Sequence, residues 1–167
     1  LIKESDIALE YLITYFENVE EPVEIVFFGD HHPSLNSNFY KLMNGKGLSG
    51  LTLEELQALY TVPFFIWTNY DTPEETIEIT SLNFLSTLTL ERAGITLPAY
   101  NQFLAEFMEY VPAINARGYY SLEKQGYLHV EDAIGQEAEW IKKYEALQYN
   151  HLFDRRNQSK VFFPYLK

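Results

Sequence analysis

Three ionisable side chains, Asp30, His31 and His32, follow one another directly after an apolar stretch of the sequence. A carboxylate oxygen beside an imidazole nitrogen suits a divalent ion such as Mn²⁺ or Zn²⁺. Neighbours on a regular strand point to opposite faces, so we expect Gly29 to let the backbone turn until Asp30 and His31 face one point. The pattern predicts half of a metal site. The alternative is an ordinary turn in which Asp30 caps backbone amides and His31 is exposed.

The other histidines have weaker claims to a role in chemistry. His32 has two interpretations, an outer hydrogen-bond partner that orients the metal ligands or a solvated loop residue. His129 and His151 have no matching partners in the sequence, so we interpret them as surface or structural histidines. The chain has no cysteine, which excludes thiolate ligands and cysteine nucleophiles.

The elements that must position the candidate ligands follow from the apolar pattern. Residues 23–28 are almost continuously apolar, which predicts a strand buried on both faces, and residues 62–67 predict a second one. In open α/β sheets, ligands bind where the chain leaves the carboxyl end of such a strand. A helix capped by Ser5 and Asp6 precedes the first strand. Its apolar positions have helical spacing: Leu9, Leu12, Ile13 and Phe16. Alternating helices and strands predict an α/β fold.

Turn residues and periodicity divide the rest of the chain into short elements. Thr52 and Glu55 have the spacing of a capping box at a helix start. The predicted helices cover residues 36–43, 53–60, 81–93 and 131–150, with another that begins at Pro98. The predicted strands cover residues 76–80, 113–115, 126–130 and 161–165, the last as an edge strand because it contains a proline.

Composition and charge limit the class of function. The chain has 167 residues, 47% of them hydrophobic, which suits one globular domain with a real core. Its net charge of −12 argues against a sequence-independent grip on nucleic acid or on anionic lipid, because both need clustered Lys and Arg. The sequence has no signal peptide and no apolar run of about 20 residues that would span a membrane. Because it begins Leu1-Ile2-Lys3 without Met, directly before a predicted helix, we expect a piece of a longer protein.

The stretch Phe27-Phe28-Gly29-Asp30-His31-His32-Pro33-Ser34-Leu35 resembles the carboxyl-terminal part of a known family. This is the sulfatase-like lipoteichoic acid synthase and phosphoglycerol transferase family of the alkaline phosphatase superfamily. Residues 63–71, 81–85 and 111–115 support the resemblance, which weakens beyond about residue 120. It implies a partial three-layer α/β/α domain over residues 1–118 and a small α+β carboxyl-terminal extension over residues 119–167, packed on that domain.

The resemblance also implies a chemistry. In this family a metal-activated threonine attacks the phosphorus of a phosphatidylglycerol-type headgroup and passes glycerophosphate to a glycan or polymer. Asp30 and His31 match the family's late metal ligands, for manganese first and zinc or magnesium otherwise, and His32 would lie in the outer shell. Nothing here aligns with the nucleophile, the first acidic ligand or the headgroup-binding residues. We therefore expect no catalytic residue in this chain, which would be inactive alone, and an enzyme as its parent.

The same resemblance sets the expected partners and location. The parent would bind a phospholipid headgroup or an envelope glycan at the outer face of a bacterial cell membrane, through an amino-terminal anchor outside this chain. An exposed sheet edge would favour a homodimer. Two alternatives remain open: a sulfatase or phosphodiesterase that uses water as acceptor, and a non-catalytic carbohydrate-binding or interaction module.

Overall fold

The computed structural model describes residues 2–154 and 156–164 of the chain. Its internal contacts divide it into two compact units. The first consists of Leu1–His31 and Val62–Thr76, and the second of His32–Thr61 and Ile77–Lys167. The candidate ligands Asp30 and His31 belong to the first unit, and His32 is the first residue of the second.

The first unit contains one helix and a two-stranded sheet: α1 (Ile2–Phe16), β1 (Glu24–Phe28) and β2 (Phe64–Thr68). All three elements were predicted, although α1 begins at Ile2 and so includes Ser5 and Asp6 rather than being capped by them. The strands pair antiparallel, with Glu24 opposite Thr68 and Phe28 opposite Phe64.

The prediction that both strands are buried on both faces is wrong for the residues that the structure describes. Phe27 and Phe28 are 43% and 48% exposed, and every residue of β2 is only partly buried. The reason is that each strand has a single neighbour, and a two-stranded sheet cannot by itself cover both of its faces. The rings of Phe27 and Phe65, opposite each other across the pair, stack at 5.3 Å between centroids.

The second unit begins with two short helices, α2 (Ser37–Asn44) and α3 (Leu53–Ala58). The Asn36 side chain caps α2 by accepting a hydrogen bond from the Phe39 amide at 2.9 Å. The predicted capping box of α3 is confirmed: the Thr52 amide donates to Glu55 Oε2 at 2.7 Å, and the Glu55 amide donates to Thr52 Oγ1 at 3.3 Å. The hydrogen bond from Lys46, followed by that from the Thr52 backbone, lowers the pKa of Glu55.

Three more helices follow in the second unit, α4 (Leu85–Arg92), α5 (Ala99–Tyr110) and α6 (Gly135–Leu152), and the core of the unit is built mainly on α5 and α6. The predicted helices are confirmed, with a 3₁₀ turn at Leu82–Phe84 before α4 and another at Val130–Asp132 ahead of α6. The buried core residues are Phe84, Leu104, Phe107, Val111, Tyr119, Ile141 and Tyr144. Trp140 stacks on Tyr110 at 5.1 Å, with the Lys143 ammonium 4.2 Å above its ring.

An antiparallel sheet of three short strands completes this unit: β3 (Ile114–Asn115), β4 (Gly118–Ser121) and β5 (Gly126–Leu128), in the order β3-β4-β5. The sequence predicts β3 and β5 but not the central strand, β4. A Cβ atom at Gly118 would collide with the Leu128 carbonyl oxygen, so a glycine is needed where β4 begins. The predicted domain boundary at residue 118 falls inside β4, and the division into a catalytic part and an extension stays a prediction.

Two further strand predictions are wrong. Residues 76–80 contain no strand, and their alternation comes from two half-buried side chains, Ile77 and Ile79, on an irregular segment. Residues 161–164 form turns, and Tyr165 lies outside the described residues. Two aromatic rings of this segment pack against rings of the helix that begins at Ala99. The ring centroids of Phe163 and Tyr100 are 5.5 Å apart, and those of Phe162 and Phe103 are 6.2 Å apart.

Candidate metal centre at the end of the first strand

Gly29 is the point at which β1 gives way to the candidate ligands. Its amide donates to the Pro63 carbonyl oxygen at 3.0 Å, which extends the β1 to β2 pairing by one residue. A Cβ atom here would lie 2.9 Å from Val62 Cβ, which is closer than real Cβ atoms approach. Glycine is therefore needed for close packing of the two chains, whereas we predicted it for its freedom to turn. Its φ is not positive.

Asp30 and His31 face each other beyond this glycine. Asp30 Oδ2 lies 3.4 Å from His31 Nε2, and Asp30 Oδ1 accepts a hydrogen bond from the His31 amide at 2.8 Å. Their side chains are 80% and 74% exposed. The geometry agrees in part with each interpretation. The two donor atoms lie close together, as in half of a metal site, and Asp30 also accepts from a backbone amide, as in an ordinary turn. Their role as ligands stays a prediction.

The donor set fits part of a divalent metal site. One carboxylate oxygen and one imidazole nitrogen match two positions in the coordination sphere of Mn²⁺, Zn²⁺ or, less well, Mg²⁺. Within residues 2–154 and 156–164, no group of three or more His, Cys, Asp or Glu side chains is arranged to hold an ion. Asp30 and His31 would therefore need ligands from elsewhere to complete a sphere.

His32 makes a contact of its own in the second unit. Its Nε2 lies 2.6 Å from the Thr61 carbonyl oxygen. A carbonyl oxygen only accepts, so the proton belongs on Nε2 of His32, which donates. This bond fixes the orientation of the ring. The predicted role of His32 in the outer shell stays a prediction.

The side chain of Asn69, directly after β2, holds the linker that leads into β1. Its Oδ1 accepts from the Val23 amide at 2.8 Å, and its Nδ2 donates to the carbonyls of Val19 and Glu21, both at 2.9 Å, and of Phe16 at 3.2 Å. The Asn69 amide also donates to the Val23 carbonyl at 3.2 Å. We call this set of bonds the Asn69 latch. It ties the end of α1 and the start of β1 to β2, and so positions the strand that presents Asp30.

The sequence predicts only a loop at Asn69. The position of Asn69 is the indication that the sequence offers. An asparagine immediately after a strand can satisfy the backbone groups of a neighbouring linker, because its side-chain amide both donates and accepts. Nothing in the sequence said which linker, since its bonded partners lie 46 to 53 residues away.

A second polar cluster, also missed, joins β4 to the first turn of α6. Glu137 accepts from Tyr119 Oη at 2.9 Å, from Ser121 Oγ at 2.9 and 3.0 Å, and from the Glu123 amide at 3.4 Å. Tyr119 and Ser121 are fully buried. Burial, and then the hydrogen bond to Glu137, raises the pKa of Tyr119 well above its usual value. The cluster satisfies buried hydroxyls and has the character of a structural clamp.

The remaining histidines lie away from such clusters. His129 is exposed, and His151 is half-buried with its ring 4.2 Å from that of Phe163 between centroids. Trp67 lies half-buried in β2, opposite Ile25.

Comparison with models of protein families shows the family to which this chain belongs. The model of the family described as Sulfatase matches residues 1–95, more than half of the chain. The chain belongs to the sulfatase family. The match covers β1, β2 and both candidate ligands, so the predicted resemblance is confirmed at the level of this family.

Two similar proteins extend the sulfatase comparison beyond the family model. The chain is 27% identical to a Rhizobium meliloti (strain 1021) protein named for cyclic beta-1,2-glucan modification, over 97% of this chain and 26% of that protein. The Streptococcus pyogenes phosphoglycerol transferase GacH, solved in complex with sn-glycerol-1-phosphate, matches with a TM-score of 0.61 at 16% identity. That match covers 94% of this chain and 36% of GacH, and it confirms the α/β class.

Two facts about extent follow. This sulfatase-family chain spans about a quarter of the length of the first relative and about a third of the second. None of the helices among the described residues is both long enough and apolar enough to cross a membrane.

Proposed function

We propose that the chain is the carboxyl-terminal part of a metal-dependent phosphoglycerol transferase that acts on a cell-envelope glycerophospholipid or glycan. The observation that carries the proposal is the convergence of Asp30 Oδ2 and His31 Nε2, 3.4 Å apart, where β1 ends in a sulfatase-family chain. The name of the Rhizobium meliloti relative supports a glycan as acceptor, and the match to GacH supports a glycerophosphate donor.

Asp30 and His31 are the residues that would hold the ion, with manganese preferred over zinc and magnesium. When bound, such an ion supplies a Lewis acid that lowers the pKa of a hydroxyl nucleophile and neutralises charge on phosphoryl oxygens. Asp30 would contribute a carboxylate oxygen, and His31 would contribute an imidazole nitrogen.

The remaining parts of the machinery would come from the rest of the longer protein. These are the threonine nucleophile, the first acidic ligand and the headgroup-binding residues, with a membrane anchor that holds the parent at the outer face of a bacterial membrane. On this proposal the 167-residue chain alone does not turn over substrate, and its exposed strand edge in the first unit pairs with a second copy when the rest is absent.

Calorimetric titration of the chain with Mn²⁺ tests the metal half of the proposal. We expect weak binding that is lost in Asp30→Asn and in His31→Gln, because each substitution removes one of two donors. His129→Gln is the matched control, since it removes an exposed histidine outside the site. Binding that survives both site substitutions would contradict the assignment.

A second candidate function is favoured by the family model itself, which is that of sulfatases. A sulfatase or phosphodiesterase would use the same ligands with water as acceptor. Product analysis of the full-length protein separates the two: glycerophosphate joined to a glucan supports the transferase, and free glycerophosphate or sulfate with no glycan product supports the hydrolase. Glucan binding by the chain that is unchanged by chelator would support a non-catalytic module instead.

A further inference from the structure

Tyr60 and Arg117 place an aromatic ring beside a cation on the surface of the second unit. Tyr60 follows the end of α3, and Arg117 lies in the turn between β3 and β4. The Arg117 Cζ atom is 5.8 Å from the centroid of the Tyr60 ring, within the range of a cation–π contact. Arg117 is exposed, and Tyr60 is 52% exposed. The two side chains therefore present a flat apolar ring and a guanidinium to solvent side by side.

Arg117 has no carboxylate partner in the part of the chain that the structure describes. The protein has twice as many acidic as basic residues, 24 against 12, so this arginine is unusual. The acidic residues of α3, Glu54 and Glu55, lie in its first turn, whereas Tyr60 comes after its last residue. Glu55 is itself paired with Lys46 at 2.7 Å. The five N–H donors of the Arg117 guanidinium are therefore open to an anion from outside the chain.

A buried pair of amide side chains fixes the turn that contains Arg117. Asn115 Nδ2 donates to Gln57 Oε1 at 2.6 Å, and Gln57 Nε2 donates to Asn115 Oδ1 at 3.2 Å. Asn115 Oδ1 also accepts from the Arg117 amide at 2.8 Å. Gln57 lies in α3 and is 4% exposed. These bonds join the turn to the helix before any ligand arrives, and such preorganisation lowers the entropic cost of binding.

The same end of α3 is hydrogen-bonded to the residue that follows the candidate ligand His31. The Thr61 carbonyl, directly after Tyr60, accepts from His32 Nε2 at 2.6 Å. Thr61 Oγ1 donates to the Gln57 carbonyl at 3.1 Å. Tyr60, Thr61 and His32 all belong to the second unit. The ring of Tyr60 is therefore next in the chain to a residue bonded to the continuation of the chain from His31.

We propose that Tyr60 and Arg117 form a subsite for a sugar that carries a phosphoryl or sulfate ester. The Arg117 guanidinium would donate two parallel hydrogen bonds to oxygens of the ester, in the planar geometry that arginine offers to such groups. The apolar C–H face of the sugar would pack against the ring of Tyr60. A neutral sugar would use only the ring, and a bare anion would use only the guanidinium.

The inference deepens the proposed function and rests on it for its role. In a phosphoglycerol transferase, the sugar that carries the ester is part of the glycan product. In a sulfatase or phosphodiesterase, it is part of the substrate. Binding at Tyr60 and Arg117 requires neither Asp30 nor His31, so the subsite can be tested without metal and without turnover.

Nuclear magnetic resonance titration of the ¹⁵N-labelled 167-residue chain with glucose 6-phosphate tests the proposal. Metal-free buffer at about 0.15 M salt screens long-range repulsion from the acidic protein. We expect chemical-shift changes at the amides of Arg117 and Gly118 that saturate with ligand. Glucose and inorganic phosphate are each expected to bind about tenfold more weakly, because each lacks one of the two contacts.

Glucose 6-sulfate separates the two sources of the ester. Tighter binding of the phosphate ester than of the sulfate ester would support the subsite in a phosphoglycerol transferase. Tighter binding of the sulfate ester would support the same subsite in a sulfatase.

Substitutions at the two side chains should each weaken binding of glucose 6-phosphate. Arg117→Gln is expected to weaken it about tenfold or more, because the charged donors are lost. Arg117→Lys should restore only part of the affinity, because an ammonium offers a point charge and not a planar fork. Tyr60→Leu is expected to weaken binding about threefold or more, because the flat ring is replaced by a branched chain.

Matched controls use the same residue types elsewhere in the second unit. Lys143→Gln removes an exposed cation that lies 4.2 Å above the Trp140 ring, and Tyr149→Leu removes a tyrosine that is 63% exposed. Neither is expected to change the affinity for glucose 6-phosphate. All of the substituted positions are exposed, so circular dichroism should show unchanged folds.

Three results would overturn the inference. They are no change at the Arg117 amide on addition of glucose 6-phosphate, equal affinity for glucose 6-phosphate and inorganic phosphate, and unchanged affinity in Arg117→Gln. Equal affinity for glucose and glucose 6-phosphate would also contradict it and would support a simple carbohydrate-binding module. Sugar binding is measured without metal and Mn²⁺ binding without sugar, so failure of one proposal is distinguishable from failure of the other.

Discussion

At the scale of single residues, Asn69 shows how one side chain can define the path of a distant linker. Its amide satisfies the Val23 amide and shares its two hydrogens among three carbonyls between α1 and β1. Those backbone groups have little secondary structure of their own to pair with, and unpaired polar groups are costly wherever water is excluded. The start of β1 is therefore set by a residue on the neighbouring strand.

Replacing Asn69 with alanine is expected to loosen the first unit. The change removes four side-chain hydrogen bonds from a partly buried position, and we expect it to lower the free energy of local unfolding by about 1–3 kcal/mol. Hydrogen exchange at the Val23 amide measures the loss. Asn69→Asp is the control: it keeps the acceptor for Val23 but turns a carboxylate towards carbonyl oxygens, so it should be no better than alanine. Unchanged Val23 protection in Asn69→Ala would refute the latch.

At the scale of elements, the junction between β1 and the site depends on how closely β1 and β2 approach. The Gly29 amide bonds to Pro63, and the space for a Gly29 side chain is filled by Val62. A substitution there acts through packing between chain segments rather than through backbone freedom.

Gly29→Ala is accordingly expected to destabilise the first unit by about 1–3 kcal/mol, as overpacking does. The Val62→Ala, Gly29→Ala double variant should recover part of this loss, because the atoms that clash with the new Cβ include the side-chain Cγ1 atom of Val62, 3.2 Å away. Urea unfolding followed by circular dichroism compares the three variants. Simple additivity of the two single effects would show that Val62 Cγ1 is not the cause, and would leave the 2.9 Å contact with Val62 Cβ, which alanine keeps.

Elements with a strong local period were predictable from the sequence, and those created by distant pairing were not. The helices α1, α5 and α6 repeat apolar residues at helical spacing, and Thr52 with Glu55 signals the start of α3. Strand β4 has no such period, because it exists through its bonds to β3 and β5. At the site, residue types indicated Asp30 and His31 as candidate metal ligands. The Val62 contact and the Asn69 latch could not be predicted from the sequence, because both depend on how β2 pairs with β1.

At the scale of the whole molecule, the two units differ in how they are stabilised. No described residue of the first unit is fully buried, whereas the second has a contiguous core around Phe107 and Tyr144. The free energy of local unfolding rises with the amount of buried apolar contact. We therefore expect a lower value for the first unit than for the second.

Hydrogen exchange with mass spectrometry should show this difference directly. Peptides from β1 and β2 are expected to exchange at least about tenfold faster than peptides from α5 and the middle of α6. The comparison uses one sample of the unaltered chain. Equal protection of the strands and of α5 would mean that the first unit is stabilised by something other than its own packing.

The placement of aromatic residues gives each unit an optical reporter. The chain has two tryptophans: Trp67 lies in β2 of the first unit, and Trp140 lies in α6 of the second, stacked on Tyr110. In a Trp140→Phe variant all indole emission comes from the strand pair that carries the candidate metal ligands, and in Trp67→Phe it comes from the helical core. Fluorescence of the two single-tryptophan proteins can therefore follow the unfolding of each unit separately, without any added dye.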